Sequence, residues 1–190
     1  MLNPWILAAL CLLLFPVGLL LPRAPSLAGY EHGSRPGGWC LVVLLLDPLR
    51  AGAGAWCLLQ GMGPLVERIG LGHTGEAILL GGVFAVGVVA QTLGRFDEDY
   101  VFSPFGYVAG VLLFFTGPAV AVPALVLGLG STVAMRAWSV FFFAAGMTCL
   151  ILGPMTHPGG WQTPLAVGLA CMLPPLVAVM AGRHMGFPRR

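Results

Sequence analysis

The chain contains no lysine, and charge of either sign is scarce. Nine arginines and seven acidic residues make up 8% of its 190 residues, where soluble domains carry about 25%. That shortage excludes an ordinary water-soluble domain. It also excludes nucleic-acid binding, because no basic run is long enough to track phosphates. Complete catalytic signatures are missing as well. There is no H-E-x-x-H, no G-x-S-x-G, no phosphate-binding loop and no dinucleotide fingerprint. His32, His73, His157 and His184 are not spaced as a ligand set. Cys11, Cys40, Cys57, Cys149 and Cys171 include no C-x-x-C pair and lie in or beside apolar runs. They read as small hydrophobes, and not as a disulfide framework or a zinc site. No cofactor, metal or enzymatic activity is expected on these grounds.

What the chain does have is apolar length. It is 58% hydrophobic, with a mean hydropathy of +0.92. Six runs approach the roughly 20 residues needed to span a bilayer as helix: 4–21, 38–61, 75–93, 105–127, 132–153 and 164–181. The ten-residue alternation of an outer-membrane barrel is absent. The fold expected is an all-α transmembrane bundle of about six spans in one domain, with the lipid bilayer as its surroundings. Arginine-only usage with high Ala, Gly and Pro reads as GC-rich coding, and hence as a bacterial inner-membrane protein.

Several runs carry proline where a helix should bend or break. These are Pro16, Pro48, Thr116-Gly117-Pro118 with Pro123, and Pro174-Pro175. Asn3-Pro4 is a cap followed by the first helical position. Ser26-Leu27-Ala28 fits a small-residue cleavage site, so 1–28 also reads as a signal peptide. The lack of a basic leader and the long apolar run favour a retained helix. Thr74 is the expected cap of span three. Gly128–Thr132 is expected to be a tight turn, making spans four and five a hairpin.

The second run stands apart because Asp47 and Arg50 fall near its middle. On the insertion scale each costs roughly 2.5–3.5 kcal/mol, against a return of roughly 0.3–0.6 for each Leu or Val. The leucines and valines of 38–62 return about 4 kcal/mol against about 6 for the two charges, so this span needs polar partners. Asp47-Pro48 is also a helix-start signal. The expectation is a broken helix, with one half over 38–46 and a second starting at Asp47. Arg50, three residues on, shares its face and can pair with it. Arg136 is expected to reach the interface, with pairing to Asp47 as the sharper alternative.

Two small-residue faces, Ala51–Ala55 and Gly106/Gly110, suit close helix contact with a membrane partner or a second copy. Asp97, Glu98 and Asp99 form an acidic loop without the spacing of a calcium site. With six spans the termini share a side. That side collects Arg68, Arg136, Arg183, Arg189 and Arg190, against Arg23, Arg35 and Arg95. The positive-inside rule then puts both termini in the cytoplasm. Two functions fit: a structural or accessory membrane subunit, or an ion or small-solute transporter using Asp47/Arg50.

Overall fold

In a computed structural model, residues 3–16, 38–70, 72–94, 100–157 and 160–186 are described. The protein is an all-helical bundle. Helix α1 spans Pro4–Leu14, α2 Gly38–Ile69, α3 His73–Leu93, α4 Phe105–Phe115, α5 Pro118–Met135, α6 Trp138–Thr156, α7 Gln162–Cys171 and α8 Leu173–Met180. Two three-residue segments, β1 (Tyr100–Phe102) and β2 (His184–Gly186), pair in parallel with Tyr100 opposite His184.

Among the described residues four helices are long and apolar enough to cross a membrane: α3, α5, α6 and the α7–α8 pair. The count of about six is not reached by this measure. Helices α1 and α4 are apolar, but their 11 residues each give only about 16 Å of length. Helix α2 has 32 residues, about 48 Å.

The contacts fix how the helices run. Helix α1 starts as expected, with Asn3 Oδ1 accepting from the Trp5 N–H at 3.1 Å. It lies antiparallel on α2, with the Asn3 amide donating to Gly61 O at 3.3 Å and Arg50 bonding Phe15 O at 2.9 Å. The bundle thus has a Gly61 end and an Asp47 end, some 21 Å apart along α2. Helix α3 finishes at the Asp47 end, where Gln91 donates to Phe15 O at 2.6 Å. Helix α4 starts there, with Gly106 against Asp47.

Phe105 packs on Trp138 and Phe141, at 5.5 and 5.8 Å between ring centres. Gly128 abuts the same Phe141 ring. Gly117, between them in sequence, lies instead beside His157 at the far end of α6. The chain therefore runs out along α4 and back along α5, reversing at Thr116-Gly117-Pro118. Gly117 has φ 71 and ψ 163, a region almost closed to side chains.

Buried aromatic rings fill the space between the helices. Phe84 stacks on Tyr107 at 5.8 Å, and Phe141 meets Phe142 edge-on at 5.1 Å. Helices α6 and α7 approach backbone to backbone at Gly146 and Gly168. Hydroxyls inside the helices are satisfied locally. Thr92, Thr116, Thr132 and Thr148 each donate to the carbonyl four residues back, which is how a helix carries them into apolar surroundings.

Three sequence expectations change. Residues 128–132 are helical within α5, because a missing side chain at Gly128 admits the Phe141 ring. The turn falls at Arg136-Ala137 instead. Helix α2 runs unbroken through Pro48. Helix α3 starts after Gly72, with no side-chain cap from Thr74. The break at Pro174-Pro175 is present. Helix α7 ends at Cys171, and both prolines fall in the first turn of α8, where no donor is missed.

The extra reversal at Gly117 alters the topology. Asn3 lies at the Gly61 end, while His184 pairs beside the start of α4 at the Asp47 end. The described ends of the chain, Asn3 and Gly186, are at opposite ends of the bundle. Arg136 likewise sits at the Asp47 end, away from the α2 terminus that carries Arg68.

Candidate functional site

Asp47 and Arg50 do form an ion pair, Nη2 to Oδ1, at 2.7 Å. Their spacing of three residues on α2 puts both on one helix face. Both are largely buried, with 6% of the Asp47 side chain and 15% of the Arg50 side chain exposed.

Each charge also meets the end of another helix. Arg50 Nη1 donates to the carbonyls of Leu12 and Phe15. These belong to the C-terminal end of α1, where carbonyls lack helical partners and the dipole is negative. Asp47 faces the start of α4 and accepts from the Tyr107 backbone N–H. A Cβ at Gly106 would lie 3.1 Å from Asp47 Oδ2. Tyr107 is the third residue of α4, so its N–H is one of those left free by the helix and lies at the positive end of the dipole. Asp47 thus caps a helix, as its residue type suggests. The helix is α4, not the second half of its own. Helix α2 continues across Pro48 because only the single bond to the Leu44 carbonyl is lost.

The surroundings complete the cluster. Gln91, fully buried, donates to the carbonyls of Leu13 and Phe15. The Tyr107 ring lies 5.9 Å below the Arg50 guanidinium carbon, within range of a cation–π contact. Two buried atoms here have no partner, Arg50 Nε and Tyr107 Oη. Gly87 leaves the room that the Tyr107 hydroxyl occupies. The sequence carries no local signal for Tyr107 as a member of this cluster. A tyrosine beside a loop reads as an interface marker, and nothing local says that it points inward.

The remaining candidates lie elsewhere. Arg136 is exposed and takes a left-handed conformation, φ 54, as the C-cap of α5. Its charge is favourable at that helix end, and it does not join Asp47. Asp97, Glu98 and Asp99 lie outside the described residues. Ala51, Gly52, Gly54 and Ala55 are buried against α1 and α4, and Gly106 and Gly110 against α2. Apart from Ala53, which is exposed, both small-residue faces are therefore taken up within the chain. An outward groove of about 550 Å³ remains between α2 and α4, lined by Gly52, Ala53, Ala109 and Gly110 together with Leu49, Trp56, Leu113 and Phe114.

Comparison with protein-family models, curated proteins and solved structures finds no match for this chain.

Proposed function

We propose that this is a small multi-pass membrane protein with a structural or accessory role, in which Asp47 and Arg50 hold the bundle together. One observation carries the reading. The two charges nearest the middle of α2 are both engaged by helix ends of the same chain. A substrate site would hold such groups open toward a cavity. The reading is non-enzymatic, since no complete catalytic motif occurs in the sequence. A bacterial cytoplasmic membrane is the proposed setting, from composition.

The associated partner is another membrane protein or a second copy. Since the buried small residues are occupied internally, the groove lined by the exposed Ala53 and by Ala109 is the surface offered for it. Purification at native expression in mild detergent, followed by mass spectrometry, tests this. A stoichiometric partner or a defined oligomer is expected, and Ala53→Leu should weaken it.

The transporter reading keeps one point in its favour, the unpartnered Arg50 Nε and Tyr107 Oη within the cluster. Liposome flux lost in Asp47→Asn, with labelling of Cys placed at 47 or 50 from the aqueous phase, would replace the structural reading with it.

A further inference from the structure

Four partial or full charges alternate in sign across the cluster. The carbonyl end of α1 is negative, Arg50 positive, Asp47 negative, and the N–H end of α4 positive. Helix α1 and helix α4 pack on the same stretch of α2, where Gly54 meets α1 and Gly52 and Gly110 meet across to α4. The charged link between them is a single guanidinium with its carboxylate.

We infer that this pair is a conformational latch, which couples the docking of α1 to the start of α4. If α1 leaves, Arg50 loses the two carbonyl acceptors that hold it in place beside Asp47. The buried carboxylate then lacks a fixed counter-ion, and its hold on the Tyr107 N–H weakens. The first turn of α4 loosens in consequence. That turn is joined through Ser103 and Pro104 to β1, which pairs with the C-terminal segment β2. The position of α1 is thereby transmitted to the last described strand of the chain, whichever partner or solute the protein serves.

Hydrogen exchange read by mass spectrometry, on the full chain in lipid nanodiscs, tests the coupling. Gly54→Val disturbs α1 without touching the pair, because a side chain there collides with Leu12 and Leu13. Exchange should rise about tenfold or more at the last turn of α1. It should rise comparably at Tyr107 and Val108, as expected when a hydrogen bond to a charged group is lost. Segments 140–152 and 165–171 should not change. Arg50→Met should reproduce the paired effect, and Arg50→Lys should give a smaller one. Loosening of α1 with Tyr107 and Val108 unchanged would overturn the coupling. So would equal loosening of 140–152, which marks a general loss of stability.

Discussion

Arg50 serves three oxygens on two helices, so its loss is felt beyond the ion pair. Arg50→Met leaves Asp47 buried with one N–H partner and strips the α1 carbonyls. Breaking a buried pair in this way costs roughly 3–5 kcal/mol. A denaturant titration of the purified protein should show a loss of that size, and Arg50→Lys a smaller one, since the fork geometry is not reproduced. Removing both charges together, as Asp47→Leu with Arg50→Met, should cost less than the sum of the single changes. Additive losses would mean that the two residues act separately. Gly87 gives a second test at this scale. A methyl group there meets the Tyr107 hydroxyl and its ring carbon, so Gly87→Ala should cost roughly 1–3 kcal/mol by overpacking. Adding Tyr107→Phe removes the hydroxyl and should recover part of the loss.

At the scale of elements, the reversal between α4 and α5 depends on one backbone conformation. Gly117 at φ 71 and ψ 163 occupies a region that is almost only open to glycine, and a side chain there costs roughly 1–3 kcal/mol. Gly117→Ala should therefore lower the unfolding midpoint. Gly130, mid-helix in α5 with nothing within 4 Å of a Cβ, provides the contrast. Gly130→Ala should be neutral, or stabilising by up to about 1 kcal/mol. If both changes were equally harmful, the turn would not be where the strain lies. The prolines divide in the same way. Pro174 and Pro175 end up in a first turn, where no donor is missed. Pro48 is carried inside α2 because the helix can forgo one bond while its neighbours hold the rest.

For the molecule as a whole, the extra reversal at Gly117 has a consequence that is open to measurement. Helix directions put Asn3 and His184 at opposite ends of the bundle. Impermeant labelling of Cys introduced at Gly72 and at Ala137 should therefore occur from opposite faces of the membrane. N- and C-terminal reporter fusions should likewise report opposite sides. Labelling of both sites from one face would restore the six-span arrangement and remove the hairpin at Gly117. The outward surface fits an apolar environment: Val133, Met155, Val179 and Met180 are each more than two-thirds exposed, which an aqueous monomer does not sustain as a general pattern.

Class and parts were legible in the sequence, because they depend on local quantities. Sixteen charges in 190 residues and runs of about 20 apolar residues dictate helices in lipid, since only there are the backbone groups satisfied internally. The Asn3-Pro4 cap, the Pro174-Pro175 break and the Asp47–Arg50 pairing also follow from neighbours a few residues apart. The tertiary structure decided everything that depends on distant partners. Asp47 can cap any free helix start, and only packing shows that it caps α4. Gly128 and Gly117 look alike in sequence as turn signals. One is a gap filled by Phe141 and the other a true reversal. Tyr107 turned inward because Gly87, twenty residues before it, left space. Helix ends, missing side chains and charges are short-range demands. Which distant group answers them is settled when the helices pack.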